Sequence, residues 1–210
     1  MQVIASQFGR PRGLPGRLVG RFMARGNGDF NRWVVGEAAQ RCDDGVERVV
    51  EIGPGPGVAL EEALRRFPAA HVWGLDLSPE MLSQSRRRNL AHVRSGRLTL
   101  LPGDVMALAA VAPVDLVIAD HVLYFWHDPA AELTRLRSFL RPGGLLALGY
   151  QLRPNMPPMA QRNFPKLGHV LYDSDGEVET LLRGGGFASV DFAVMGPADA
   201  PHGRVALATA

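Results

Sequence analysis

The chain has 210 residues, of which 46% are hydrophobic and 21% are charged, and its formal net charge is +2 at pH 7. These proportions are typical of a chain that folds around a full core, so they exclude a disordered or fibrous protein. No apolar run approaches the roughly 20 residues that a bilayer span needs, which excludes an integral membrane protein. The balanced charge, with Lys166 as the sole lysine, argues against a nucleic-acid binder.

Five short apolar runs predict strands that are buried on both faces of a parallel sheet. Each run is too short for a helix and too apolar for a strand with one solvated face. The runs are Val49–Ile52, His71–Leu75, Leu98–Leu101, Asp115–Ala119 and Leu145–Gly149.

Segments with helical spacing alternate with these runs. Val58–Phe67 has an apolar side and a charged side, and Ser78 followed by Pro79 is typical of the first residues of a helix. A further helix, Ala131–Leu140, is predicted to end before the turn at Pro142-Gly143-Gly144. Strands and helices in this order predict an α/β fold with a doubly wound, Rossmann-like parallel sheet.

The C-terminal end departs from this alternation. After a helix at Gly176–Arg183, the strand-like runs Ala188–Val194 and Arg204–Ala208 are joined by only a few residues. That connection is too short for a helical crossover, so the last strand must return antiparallel as a hairpin. The sequence therefore predicts a seven-stranded sheet that is mostly parallel and has an antiparallel C-terminal hairpin strand.

A glycine-rich turn follows the first predicted strand. Gly53, Gly55 and Gly57 have the spacing G-x-G-x-G, and Val58 stands where a dinucleotide fingerprint would have its third glycine. Glycines at such a turn let the backbone bend tightly and let a ligand approach closely. A tight strand–helix turn without a ligand is the alternative.

Four acidic residues lie near the carboxyl ends of predicted strands, where open α/β sheets bind ligands. They are Glu51, Asp76, Asp104 and Asp120. Asp76 ends the second strand, nineteen residues after Gly57, where a carboxylate can accept hydrogen bonds from both hydroxyls of a ribose. Acids without nearby basic residues suit a cationic nucleoside better than a pyrophosphate. As an alternative, each acid could be a helix cap or a solvated surface group.

These segments, in their order, resemble the motifs of the class I S-adenosylmethionine-dependent methyltransferases. The resemblance covers roughly residues 30–210, and the segments that carry it are VVEIGPGPG, GLDLSPEML, LPGDVMAL, VDLVIADHVLYFWHDP and LRPGGLLALGY. It implies that S-adenosylmethionine is the cofactor. Glu51 and the loop 53–57 would hold its methionine part, and Asp76 its ribose.

The same resemblance implies an adenine site and an acidic lining. Asp104 and the Val105 amide would hold the adenine, with Leu77 as an apolar wall, and Asp120 would join the acids around the cofactor. Packing in the core is the alternative for Leu77.

The implied reaction is methyl transfer to oxygen or nitrogen of a small, partly apolar molecule. The segment 119–124 lacks the Asn/Asp-Pro-Pro-Tyr pattern of relatives that methylate amides or adenine, and no metal-binding set of acids can be assembled. His121, Tyr124 and His127 are candidate bases, because all three follow the fourth strand. The alternatives are an enzyme of this fold that binds S-adenosylmethionine without methylating, such as a cyclase or decarboxylase, and a non-catalytic partner subunit. The oligomeric state stays open.

Two segments are predicted to cover the acceptor site. Residues 151–172 form a long lid-like insertion rich in methionine and proline. Residues 1–30 are interpreted as a basic helical cap on a methyltransferase domain of residues 31–210, because Leu18, Val19, Phe22 and Met23 form one stripe. A helix that merely packs on the domain, or a peripheral membrane contact without insertion, is the alternative.

The expected location is the cytoplasm. The single cysteine, Cys42, argues for a reducing compartment. The first ten residues also lack the charged start and apolar stretch of a secretory signal.

Overall fold

The predicted alternation of strands and helices is present in the computed structural model, which describes residues 26–43, 45–197 and 199–210. The strands are β1 (Arg48–Ile52), β2 (His71–Asp76), β3 (Leu98–Pro102), β4 (Val114–Asp120), β5 (Leu140–Tyr150), β6 (Ser189–Met195) and β7 (Gly203–Thr209). The α-helices are α1 (Gly28–Arg41), α2 (Val58–Arg66), α3 (Pro79–Arg88), α4 (Leu90–Arg94), α5 (Pro129–Phe139), α6 (Pro158–Asn163) and α7 (Asp175–Gly184). Short 3₁₀ helices occupy Val105–Ala110, Leu123–Phe125, Arg153–Asn155 and Pro165–Leu167.

The seven strands form one sheet in the order β3-β2-β1-β4-β5-β7-β6. The first five strands pair in parallel, and β7 lies between β5 and β6, antiparallel to both. This arrangement confirms the predicted doubly wound sheet and its C-terminal hairpin. The order reverses between β1 and β4, which leaves a crevice beyond the carboxyl ends of these two strands.

Helices cover both faces of the sheet and bury two apolar layers. One layer includes Val34 and Val35 of α1 together with Leu60 and Leu64 of α2. The other includes residues of α5 and α7 packed on β4 and β5. Strands that are buried on both faces need apolar residues at every position. This explains why the sequence predicted these strands from continuous apolar runs, with no alternation of apolar and polar residues.

Strand β5 differs from its prediction at its beginning. It starts at Leu140 rather than Leu145, and α5 ends at Phe139. Leu140 pairs with Val114, and the next pair is Leu116 with Leu145, so residues 141–144 bulge out of the ladder. The proline and two glycines therefore end the helix as expected, but they begin an irregular strand instead of forming a separate turn.

The N-terminal prediction is only partly within the described residues. The predicted basic helix with its apolar stripe, residues 16–25, lies outside them. Helix α1 crosses the proposed domain boundary after residue 30, and Phe30 is buried against the core. No helix within the described ranges is long and apolar enough to cross a membrane.

Candidate functional site

The glycine-rich turn between β1 and α2 contains three glycines in the left-handed region, with φ of +66° at Gly53, +51° at Gly55 and +82° at Gly57. A side chain at Gly57 would place its Cβ 2.5 Å from Ser85 Oγ, whereas a Cβ at Gly55 would meet no atom within 4 Å. Gly57 is therefore required by packing against α3, and Gly55 leaves open space above the turn. That space is where a ligand can approach the backbone.

Asp76 connects this turn to the end of β2. Its carboxylate accepts hydrogen bonds from the Gly55 N–H at 3.1 Å and from the Ser78 N–H at 2.8 Å. The side chain is buried, and burial raises the pKa of Asp76 to about 6, although both hydrogen bonds oppose the change. The predicted ribose acid thus lies beside the glycine turn and already orders it.

Glu51 and Asp120 are buried carboxylates at the ends of adjacent strands, β1 and β4. No hydrogen bond to either carboxylate meets normal geometry among the described residues. Burial raises the pKa of Asp120 to about 7. Burial also holds the pKa of Glu51 well above its ordinary value, and the charges of Asp120 and Asp76 raise that pKa further. The nearby Leu60 N–H lowers the pKa of Glu51, but this is the smallest of the four effects.

Asp120 fits only because its neighbour on β5 is a glycine. Asp120 pairs with Gly149 in the ladder, and any Cβ at Gly149 would overlap Asp120 Oδ1. Because Gly149 has no side chain, the Asp120 carboxylate can occupy the space beside it in the interior of the protein. Buried carboxylates without donors are costly, so this pair is suited to a ligand that carries positive charge or N–H groups.

These residues fit S-adenosylmethionine, the cofactor that the sequence motifs imply. The ammonium and sulfonium groups of S-adenosylmethionine are positively charged, so they could act as the missing partners of the Glu51 and Asp120 carboxylates. Asp76 lies at the end of β2, where its carboxylate could accept hydrogen bonds from the ribose hydroxyls. Asp104 is exposed, and its Oδ1 accepts a hydrogen bond from the Met106 N–H at 2.9 Å. Val105 is buried, and Leu77 is 47% exposed, which makes Leu77 available as an apolar wall for an adenine.

A largely apolar cavity of about 160 Å³ lies next to the acidic group. It is bounded by residues that follow β4, by residues of the segment after β5 and by one residue before α1. They are Asn27, His121, Tyr124, Phe125, Gln151, Met156, Pro157, Met159, Ala160, Asn163 and Phe164. Seven of these eleven belong to the predicted lid-like insertion, residues 151–172.

The three candidate bases occupy different environments. His121 lines the cavity with a left-handed φ of +55°, and burial lowers its pKa to about 4. Tyr124 also lines the cavity, but its hydroxyl donates to the Gln151 carbonyl at 3.2 Å and accepts from the Gln151 N–H. Burial raises the pKa of Tyr124 far above its ordinary value. His127 is exposed and does not line the cavity, because the 3₁₀ turn at Leu123–Phe125 carries the chain out to the surface before α5.

The polar lining residues Gln151, Asn163 and Asn27 were not identified from the sequence. Gln151 directly follows β5 and Asn163 ends α6, so the length of the segment after β5 was the only available signal. Within the described ranges, no group of three or more histidine, cysteine or acidic side chains could hold a metal ion.

The sequence and the fold are both similar to known methyltransferases. Residues 49–144 match the family model described as "Methyltransferase domain". The trans-aconitate 2-methyltransferase of Methylobacterium nodulans is 38% identical over 121 residues, which are 55% of this chain and 42% of that protein. The corresponding protein of Azoarcus sp. is 40% identical over 105 residues, 50% of this chain and 39% of that one. The chain thus spans about two fifths of the length of these relatives.

One solved structure is similar in fold over most of the described chain. It is an O-methyltransferase family protein from Burkholderia thailandensis, with a TM-score of 0.70 and 16% identity, and the match covers 93% of this chain and 59% of that one. At this identity the likeness concerns the fold alone.

Proposed function

We propose that the chain, whose residues 49–144 match a methyltransferase domain, is a class I S-adenosylmethionine-dependent methyltransferase that transfers a methyl group to oxygen or nitrogen of a small, partly apolar molecule. One observation carries this proposal. Glu51 and Asp120 are buried carboxylates that accept no hydrogen bond of normal geometry, and the residue after Asp120, His121, lines an apolar cavity. The carboxylates suit a cationic methyl donor, and the cavity suits an apolar acceptor.

In this proposal each cofactor-binding residue acts through charge or shape. Glu51 and Asp120 attract the positively charged methionine end, and Gly55 leaves room for it above the turn. Asp76 accepts hydrogen bonds from the ribose hydroxyls. Asp104 and the Val105 amide contact the adenine, and Leu77 covers one of its faces.

The transfer is a displacement at carbon. Bound S-adenosylmethionine supplies a methyl group on a positively charged sulfur. The acceptor lone pair forms the new bond to the methyl carbon while the carbon–sulfur bond breaks, its electrons stay with sulfur, and the acceptor releases a proton to water or to a base. The protein contributes mainly alignment and exclusion of water, which can supply a large part of the rate enhancement.

His121 is the candidate base that the cavity favours. Its neutral imidazole can accept a hydrogen bond from an acceptor O–H or N–H, but with a pKa of about 4 it orients the acceptor better than it removes the proton. Tyr124 acts as a positioning residue, because the hydrogen bond from its hydroxyl to the Gln151 carbonyl links the turn after β4 to the start of the lid-like insertion. His127 is exposed, is not among the lining residues of the cavity, and serves as the comparison.

The test is transfer of labelled methyl from S-adenosylmethionine into a metabolite extract. We expect one or a few small compounds to gain the label, and we expect Asp76→Ala to reduce that transfer. His121→Ala should lower turnover, while His127→Ala, the matched control from the same segment between β4 and α5, should retain it.

The alternatives make different predictions in this experiment. Binding of S-adenosylmethionine by calorimetry without label in any product would favour an enzyme that does not methylate or a non-catalytic partner. Absence of binding would contradict the proposal altogether. Equal turnover of His121→Ala and wild type would remove His121 from the reacting site.

A further inference from the structure

The cavity lining carries no ionised side chain in the part of the chain that the structure describes. Its members are aromatic, aliphatic, methionine and amide side chains and one histidine, His121. Burial keeps His121 neutral at pH 7, because its pKa is lowered to about 4.

This electrostatic environment opposes an anionic acceptor. A carboxylate that enters a water-poor cavity loses its hydration, and it needs a cation or several donors as compensation. The relatives named above act on trans-aconitate, which brings three carboxylates. Among the described lining residues, the side-chain amides of Asn27, Gln151 and Asn163 and the ring N–H of the neutral His121 are the free or partly free donors, all of them uncharged. The Gln151 side-chain N–H already donates to the His202 carbonyl at 2.7 Å.

The aromatic side chains of the lining favour an aromatic acceptor. The Phe125 and Phe164 rings lie 5.5 Å apart at 58°, and the Tyr124 and Phe164 rings lie 6.3 Å apart at 47°. All three rings also line the cavity, so an aromatic acceptor that contacts them would gain further aromatic pairs, which are favourable in tilted and offset arrangements. Met156 and Met159 add polarisable, adaptable walls that contact aromatic rings well.

Resting on the proposed function, we infer that the acceptor is an uncharged aromatic molecule carrying a hydroxyl or amino group, and that a tricarboxylate is not a substrate. The ring lies against Phe125 and Phe164. The side-chain amide of Asn163 and the side-chain carbonyl of Gln151 form hydrogen bonds with its polar substituents.

The experiment compares small probes that differ in one property. They are 4-ethylphenol, 4-hydroxybenzoate, which is similar in size but charged, 4-ethylcyclohexanol, which is neutral but not aromatic, and trans-aconitate. Binding of each probe to the protein saturated with S-adenosylhomocysteine is measured by calorimetry, and methyl transfer is measured with labelled S-adenosylmethionine. We expect 4-ethylphenol to bind at least about 10-fold more tightly than the two anions, whose carboxylates lose their hydration without a compensating cation. It should also bind several-fold more tightly than 4-ethylcyclohexanol, which cannot form aromatic pairs worth about 0.5–1.5 kcal/mol.

Each outcome decides the inference. Tighter binding or faster methylation of 4-hydroxybenzoate or trans-aconitate would overturn it and leave the proposed methyltransferase activity standing. Equal binding of 4-ethylphenol and 4-ethylcyclohexanol, or no binding of any probe, would overturn the aromatic requirement. Failure to bind S-adenosylmethionine, with 4-ethylphenol still bound, would instead contradict the proposed function.

A charge introduced into the lining makes the test sharper. Met159→Arg adds a cation to a cavity wall, so it should shift the preference toward 4-hydroxybenzoate by about 10-fold. The matched control is Leu167→Arg, an exposed apolar residue of the same insertion that does not line the cavity. A similar shift in both variants would show that general surface charge, rather than the cavity, selects the acceptor.

Discussion

Replacing Asp120 by asparagine should stabilise the protein without ligand at alkaline pH. The Asp120 pKa is about 7 in the folded protein against the ordinary value of 3.8, so the folded protein loses stability as the pH rises above 3.8, and this loss is complete once the pH has passed through 7. The free energy lost in this way is about 4 kcal/mol at pH 8 and about 2 kcal/mol at pH 5, from 1.36 kcal/mol per pH unit. Asparagine has the same shape and no charge, and removal of the charge also relieves Glu51.

The buried amide of the variant reduces this gain. An unsatisfied amide costs about 1–3 kcal/mol at any pH. The expected result is therefore a difference between variant and wild type that is about 2 kcal/mol more stabilising at pH 8 than at pH 5.

Urea unfolding followed by circular dichroism at both pH values measures this difference on ligand-free protein. Asp191→Asn is the matched control, because it makes the same chemical change at an exposed carboxylate whose ion pair with Arg41 contributes little to stability. A stability difference for Asp120→Asn that is the same at pH 5 and pH 8 would refute the reasoning that burial raises the Asp120 pKa. The same variant should bind S-adenosylmethionine more weakly, since it loses one of the charges proposed to attract the cofactor.

Three further changes test other parts of the site. Asp76→Ala should weaken S-adenosylmethionine binding by roughly 10- to 100-fold in calorimetry, because hydrogen bonds to a charged group are lost; unchanged affinity would exclude Asp76 from the site. Gly57→Ala should lower the unfolding free energy more than Gly55→Ala, since only its Cβ would clash, whereas Gly55→Ala should mainly weaken cofactor binding; equal stability losses would argue against this division. Tyr124→Phe should lower stability by about 1–3 kcal/mol and raise KM for the acceptor, since the Gln151 backbone loses its partner; wild-type urea midpoint and KM would show that this contact does not position the lid-like insertion.

The sequence by itself determined the architecture of the sheet. Parallel strands buried on both faces must be apolar throughout, so β1, β2, β3 and β4 appear in the sequence as short continuous runs. The short connection before β7 required a hairpin for a purely geometric reason. The predicted start of β5 was wrong, because a proline and two glycines are compatible both with a turn and with a bulged strand.

The sequence also located the acids, but only the tertiary structure decided their states and neighbours. The spacing in the sequence predicted Asp76 beside the glycine turn, because the two lie at the carboxyl ends of the adjacent strands β2 and β1. The burial of Asp120 against Gly149 joins two different strands, and no local pattern indicates it. In the same way, His121 and His127 are six residues apart and looked equivalent, yet only His121 lines the cavity. Residues far apart in the chain build that cavity, so their arrangement depends on how the lid-like insertion packs against the turn after β4.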